Sequence, residues 1–194
     1  MKFAVIIKTY RRKDGKTPFL LKRSIDSVMN QTHKDFKLFI IGDKYENDKE
    51  ILKIIPKNAY YENLPIAYER DKYTGLRLWC CGGNKCNIHA HKKALAEGFD
   101  YICVLDHDEW WGKNHLSLFN ENIPFAWACT SCATLPRIKT DKKIIRFLPK
   151  PGGVIGSSVC RNLKLLPLLP RICYEEIGKD IPGMLIYGQG LPHT

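Results

Sequence analysis

Short, continuous apolar runs alternate with amphipathic stretches through the first half of the chain. Lys2-Phe-Ala-Val-Ile-Ile-Lys8 and Phe36-Lys-Leu-Phe-Ile-Ile41 have the pattern of strands buried on both faces. Between them, Phe19 to Asn30 places Leu20, Leu21, Ile25, Val28 and Met29 at helical spacing. Asp48 to Ile55 predicts a second helix stopped by Pro56, and Ala59 to Leu64 a short strand or turn. Lys85 to Glu97 predicts a further helix with Gly98 at its end, and Tyr101-Ile-Cys-Val-Leu105 another buried strand. Strand and helix alternating through short connections predict an α/β fold, a mostly parallel central sheet flanked by helices. After Trp111 the pattern loosens. Leu116 to Asn120 reads as helix, Ala126 to Leu135 and Lys143 to Leu148 as strands, and Pro149 to Gly153 as a loop. No repeat, low-complexity tract or long linker divides residues 1–194, which read as one domain.

In open α/β sheets, ligands bind beyond the carboxyl ends of the strands. Three polar groups fall there: the Thr9-Tyr10 loop, Asp43, and the run Asp106-His-Asp108-Glu109. Asp106 and Asp108 are two apart, so on extended backbone their carboxylates share a face and repel unless a cation or proton lies between them. A hard divalent ion suits such a pair, because Mg²⁺ commonly takes one or two carboxylates and completes its shell with water and phosphate oxygens.

Charge narrows the partner. With 31 Lys and Arg against 20 Asp and Glu, the net charge is +11, spread from Lys2 to Lys179 without a basic tail. A nucleic-acid surface, an anionic membrane face and a site for a phosphorylated substrate all fit this charge. Signatures of a zinc finger, ribonucleoprotein motif or helix-turn-helix are missing, so no nucleic-acid partner is expected. No apolar run approaches the roughly 20 residues of a membrane-spanning helix, and Phe3 to Ile7 is too short for a signal-peptide core. These features predict a cytoplasmic protein, peripheral to a membrane if it meets one. The 8 cysteines are accordingly expected as reduced, buried thiols, although Cys129-Thr-Ser-Cys132 has the spacing of one zinc knuckle. Gly152-Gly-Val-Ile-Gly-Ser-Ser158 lacks the Gly-Lys-Ser/Thr of a P-loop. His89 and His91 read as ordinary polar residues, and Trp110 and Trp111 as packing residues.

The order of these motifs resembles the inverting GT-A glycosyltransferases of family 2. Ala4-Val-Ile-Ile-Lys-Thr-Tyr10 is similar to the family's opening strand, and Ser27, Val28, Gln31, Thr32 and Phe36 keep the register of its S-V-x-x-Q-T-x-x-x-F/W helix. Ala94 to Ile102 resembles the lead into the metal strand, and Leu105-Asp-His-Asp-Glu-Trp110 the L-D-x-D-D-x-W motif. The match covers about residues 2–112, read as the nucleotide-sugar-binding half, with 113–194 as the acceptor side. Two departures stand out: Gly42-Asp-Lys-Tyr45 replaces D-D-G-S, changing its tight turn, and Lys8-Thr-Tyr-Arg11 adds two positive charges to P-T-Y-N.

The resemblance implies a Rossmann-like GT-A fold that moves a sugar from a nucleoside-diphosphate donor, a UDP-sugar, to an acceptor hydroxyl with Mn²⁺ or Mg²⁺. Thr9 and Tyr10 would border the base, Asp43 would accept a hydrogen bond from it, and Arg11 would lie near the phosphates. Lys85 would replace a cation of the family's A-R-N segment. Asp106 would approach ribose or metal, Asp108 would be the direct metal ligand, and His193 a late one. Asp180, Glu175 or Glu176 would be the catalytic base, with Asp180 favoured. Glycans, lipid-linked sugars and proteins all stand as acceptors. A non-catalytic scaffold of the same fold and a basic nucleic-acid binder are the alternatives.

Overall fold

A computed structural model of the protein describes residues 2–75, 78, 81–123, 127–130, 144–145 and 159–163. Its strands are β1 (Phe3–Thr9), β2 (Phe36–Asp43), β3 (Tyr60–Leu64), β4 (Tyr101–Asp106), β5 (Trp127–Thr130), β6 (Ile144–Ile145) and β7 (Val159–Asn162). Its helices are α1 (Thr17–Met29), α2 (Asp48–Leu52), α3 (Asn84–Ala96) and α4 (His115–Asn120). They form one seven-stranded sheet in the order β3-β2-β1-β4-β7-β5-β6. The first four strands are mutually parallel, as the strand–helix alternation predicts.

Period-two alternation sends β1 to two cores. Phe3, Val5 and Ile7 pack with Leu21, Ile25 and Val28 of α1 and with Leu38, Ile40, Cys103 and Leu105 of the neighbouring strands. Ala4 and Ile6 face the other way, against Phe39, Ile41, Ile102 and Val104 and the small side of α3, Cys86, Ala90 and Ala94. Both faces are covered, which explains why these strands read as unbroken apolar runs. Gly98 follows α3 at φ +77°, the left-handed conformation expected of a residue that ends a helix.

The second half of the sheet departs from the sequence reading. β7 inserts antiparallel between β4 and β5, pairing Cys103 with Cys160 and Cys129 with Val159. Val159-Cys-Arg-Asn162 gives no strand signal, because its buried Arg161 breaks the apolar pattern. β5 and β6 lie inside the two predicted segments and pair antiparallel through Cys129↔Ile145 and Thr130↔Ile144. α2 is shorter than predicted, ending at Leu52.

Candidate active site

A cavity of about 560 Å³ opens at the carboxyl edge of the parallel strands. Lys8, Thr9 and Tyr10 reach it from the end of β1, Asp43 from β2, and Asp106, His107, Asp108 and Glu109 from β4. The β3–α3 connection closes the far side with Arg70, Gly75, Leu78, Gly82 and Gly83. The topology alone assembles this wall, since β1 lies between β2 and β4 in a register pairing Thr9 with Gly42 and Lys8 with Asp106.

One wall pairs a buried acid with an aromatic ring. Asp43 accepts a 2.7 Å hydrogen bond from Arg70 Nε, and Arg70 Nη2 donates to the Asp43 carbonyl. The same guanidinium lies over the Tyr10 ring, 4.9 Å from its centre, while His107 meets that ring edge-on at 5.1 Å. Burial raises the pKa of Asp43, and the Arg70 bond and charge pull it back down. Asp43 Oδ1 and Thr9 Oγ1 are buried without hydrogen-bond partners. Asp43 thus presents a free acceptor beside a ring already held flat by a cation.

The opposite wall is acidic, and its two aspartates are each countered by a cation. Lys8 Nζ lies 3.2 Å from Asp106 Oδ1, and Arg12 Nη1 lies 3.1 Å from Asp108 Oδ2. Gly83 makes room for this Lys8 side chain: it caps α3 at φ +74°, and a Cβ there would lie 2.5 Å from Lys8 Cδ. Both aspartates are about two-fifths exposed and offer hard oxygen donors. No cluster of three or more His, Cys, Asp or Glu capable of holding a metal occurs among the described residues. Asp106 and Asp108 are two carboxylates that could meet a cation here. That number fits Mg²⁺ or Mn²⁺, which would fill the remaining positions with water and phosphate oxygens.

The acid loop owes its position to residues in α1 and just beyond it, of which Ser27, Gln31 and Thr32 keep the motif register. Ser24 Oγ donates to the His107 carbonyl at 2.8 Å, and Ser27 Oγ accepts from the Trp111 amide at 3.1 Å. Gln31 donates to the Gly112 carbonyl at 2.8 Å and accepts from the Leu116 amide at 3.0 Å. The Thr32 amide donates to the Lys113 carbonyl at 2.8 Å. Polar groups of α1 and of the residues just past its end thus satisfy the backbone of the loop that follows β4, which explains why Ser, Gln and Thr stand at those positions. His107 is buried between the two acids, and desolvation lowers its pKa against the pull of Asp108 and Asp106.

One comparison fixes the family, and a second bears on the fold. No protein-family model matches the chain. Over 188 residues it is 33% identical to "Uncharacterized glycosyltransferase R139" of Acanthamoeba polyphaga mimivirus, covering 86% of this chain and 75% of that protein. The chain belongs to the glycosyltransferases. Its fold also matches the crystal structure of S. aureus TarS with a TM-score of 0.53 at 14% identity, over 88% of this chain. The glycosyltransferase spans 30% of the length of TarS.

Of the residues read from the sequence, Thr9, Tyr10, Asp43, Asp106 and Asp108 meet in this cavity of the glycosyltransferase. Arg11 and Lys85 do not line it. Arg11 pairs with Glu50 at 3.4 Å on the outer surface. The Lys85 amide donates to buried Glu69 at 3.0 Å, and its ammonium sits 5.8 Å from the centre of the Tyr68 ring. The cations at the cavity are instead Lys8, Arg70 and, through Asp108, Arg12. Arg70 and Arg12 escaped the sequence reading because a lone arginine in a loop carries no spacing signal. Asp180, Glu175, Glu176 and His193 lie outside the described residues, as does the Gly152–Ser158 segment.

The aromatic pair divides. Trp111 is buried against His115, whereas Trp110 is half exposed, which corrects the expectation that both are packing residues. His91 is buried, and His89 pairs with Glu62 at 2.8 Å. Cys86, Cys103 and Cys160 are buried thiols outside any disulfide, as expected, and Cys81 is buried too. The side chains of Cys129 and Cys132 fall outside the described residues.

Proposed function

We propose that this glycosyltransferase is a GT-A enzyme of family 2 type. It would transfer a sugar from a uridine-diphosphate donor to an acceptor hydroxyl, with inversion and with help from Mn²⁺ or Mg²⁺. One observation carries the reading: a base-sized aromatic and acidic wall, Tyr10 with Asp43 and Arg70, faces a cationic and acidic wall, Lys8 and Arg12 with Asp106 and Asp108, across one cavity.

On this reading Tyr10 stacks on the base and Asp43 Oδ1 accepts its imide N–H. Arg70 donates to a neighbouring base carbonyl while its bond and charge favour the ionised form of Asp43 against burial. Acceptor beside donor complements uracil, whose imide edge carries a donor flanked by carbonyls. Asp106 and Asp108 would hold the metal, which when bound would stabilise charge on the leaving diphosphate. Lys8 keeps Asp106 in place, and Arg12 can exchange Asp108 for a phosphate oxygen. An inverting displacement needs a base on the opposite side of the sugar to take the acceptor proton. Asp180, Glu175 or Glu176 of the second half is proposed for that role, and His193 for a late contact to the metal. Glycans, lipid-linked sugars and proteins are the candidate acceptor classes.

The test is a thermal-shift and calorimetric panel of nucleoside diphosphates with and without Mn²⁺, repeated on Asp108→Ala. Uridine diphosphate with Mn²⁺ should raise the midpoint, because a ligand favouring the folded state stabilises it by mass action, and Asp108→Ala should lose the metal-dependent part. Unchanged donor binding and turnover in Asp108→Ala would overturn the reading.

A further inference from the structure

The rim that carries the cavity also carries an exposed aromatic and cationic patch that donor binding does not use. Phe19, in the first turn of α1, is 71% exposed, and Trp110, two residues past Asp108, is 50% exposed. Arg23 joins them. It stands one turn beyond Phe19 on the same helix face, its guanidinium lies 4.1 Å from the centre of the Trp110 ring, and it donates to the Asp108 carbonyl at 2.6 Å. Lys13 and Lys16, in the loop that leads into α1, make no ion pair among the described residues, whereas Lys22 is matched by Asp26 and Arg12 by Asp14 and Asp108. Residues 11–26 hold six basic side chains (Arg11, Arg12, Lys13, Lys16, Lys22, Arg23) and two acids (Asp14, Asp26).

We propose that this patch docks the protein peripherally on an anionic phospholipid bilayer, with Phe19 and Trp110 entering the headgroup region and Lys13, Lys16 and Arg23 meeting lipid phosphates. Large exposed apolar rings ringed by cations are the chemistry of an interfacial anchor. No helix among the described residues is long and apolar enough to cross a membrane, so the contact is one of surface. A bilayer is favoured over nucleic acid because Phe19, 71% exposed on the helix surface, suits apolar insertion into a headgroup layer more than stacking on bases. The patch lies at the carboxyl edge of the sheet, beside the mouth of the cavity, so docking turns that mouth toward the lipid. Where the docked protein acts as the transferase proposed above, a lipid-linked acceptor is the class it meets; that last step rests on the glycosyl-transfer reading, and the docking itself does not.

Co-sedimentation with vesicles of phosphatidylcholine alone and of phosphatidylcholine with phosphatidylserine tests the docking. The protein should bind the anionic vesicles and not the neutral ones. Each Lys or Arg near an anionic surface contributes about 1 kcal/mol, roughly fivefold, so Lys13→Ser/Lys16→Ser should lower partitioning roughly 25-fold. Phe19→Ser should lower it roughly tenfold through lost apolar burial. Leu95→Ser, at an exposed apolar residue of α3 on the opposite edge of the sheet, should change nothing. Thermal midpoints and uridine diphosphate affinity in free solution should be unchanged in Phe19→Ser, showing that the variant is folded. Equal binding to neutral and anionic vesicles, or full binding by Phe19→Ser, overturns the proposal. So does a single-stranded oligonucleotide that binds through the same lysines while vesicles do not. Vesicle binding that persists when no nucleotide binds would remove the transferase reading and leave the docking standing.

Discussion

Arg70 reaches from the β3–α3 connection to Asp43 at the end of β2, donating through Nε to its carboxylate at 2.7 Å and through Nη2 to its carbonyl. Asp43 is 3% exposed; burial raises its pKa, and the hydrogen bond and charge of this one arginine oppose that rise. Arg70→Ala is expected to destabilise the protein by about 1–3 kcal/mol at neutral pH, the cost of leaving a buried charged group without its partner. The pH dependence carries a definite sign. A carboxyl whose folded pKa lies above its unfolded one stabilises the fold when protonated and loses that contribution as pH rises through the folded value. Removing Arg70 pushes the folded value higher still, so the deficit of the variant should shrink as pH falls from 7 toward 5. Urea denaturation at the two pH values checks this; a deficit that grows on acidification would contradict it.

Lys44 is the sole non-glycine among the described residues with a positive φ, 49°. It occupies the place of glycine in the D-D-G-S pattern that the β2 end resembles, so the turn keeps its left-handed conformation although the sequence suggested a changed one. A side chain in that region costs roughly 1 kcal/mol relative to glycine. The exposed Lys44–Asp71 pair at 3.2 Å offsets little of this. Lys44→Gly should therefore raise the melting temperature by roughly 2–4 °C, read by calorimetry.

Gly83 makes the converse case. At φ +74°, with a Cβ only 2.5 Å from Lys8 Cδ, Gly83→Ala strains the backbone and also pushes Lys8 off Asp106. A loss of about 1–2 kcal/mol is expected from the backbone alone. Uridine diphosphate affinity should fall with it, because Asp106 loses its positioning partner. Gly15 is the control: its φ is +69° but a Cβ there meets nothing, so Gly15→Ala should lose stability without loss of nucleotide affinity.

Arg12 stands against Asp108 where a metal ion is proposed to bind. Two cations cannot share one carboxylate without repulsion, so Arg12→Ala should tighten Mn²⁺ binding to the nucleotide-free protein several-fold, roughly the worth of one exposed charge pair. Titration of free Mn²⁺ by electron paramagnetic resonance reads this directly. In the presence of uridine diphosphate the order should reverse, since the variant lacks a cation for the diphosphate. Weaker Mn²⁺ binding in both conditions would show that Arg12 organises the site and does not compete for it.

The parallel half of the sheet was legible because both faces of β1, β2 and β4 are covered, which turns each of these strands into a plain apolar run. The strand-end rule then located Thr9, Tyr10, Asp43, Asp106 and Asp108 before any geometry. What stayed hidden depends on contacts distant in sequence. Arg70 matters only because its loop folds back over Asp43, 27 residues away, and Arg12 only because β4 brings Asp108 within 3.1 Å across 96 residues. Lys85 is held by a similar contact, its amide donating to the buried carboxylate of Glu69 across 16 residues. The strand β7 could not be read because its ladder joins strands far apart in sequence and one of its four residues is a buried arginine.

His115 and His91 set the acid limit of the fold. His115 is stacked on Trp111, ring centres 4.2 Å apart, with Phe119 edge-on at 5.0 Å, and desolvation lowers its pKa to about 3. His91, buried in α3, is likewise lowered to about 3, by burial and by the charge of Arg161. Both are therefore neutral in the folded protein across the physiological range, while in the unfolded chain they take up protons near pH 6.5. A group with a depressed folded pKa gives stability that is complete above its unfolded value and drains away as pH falls through the interval between the two. The interval here runs from about 6.5 down to about 3, and each histidine can contribute a slope of up to roughly 1.4 kcal/mol per pH unit within it. His115→Phe keeps the aromatic stack and removes the proton, so its stability should fall less steeply than wild type between pH 6.5 and 5. The two proteins should diverge progressively as the solution is acidified, with the variant increasingly the more stable. Parallel curves over that range would mean that His115 carries its proton in the folded state, against the apolar packing that surrounds it.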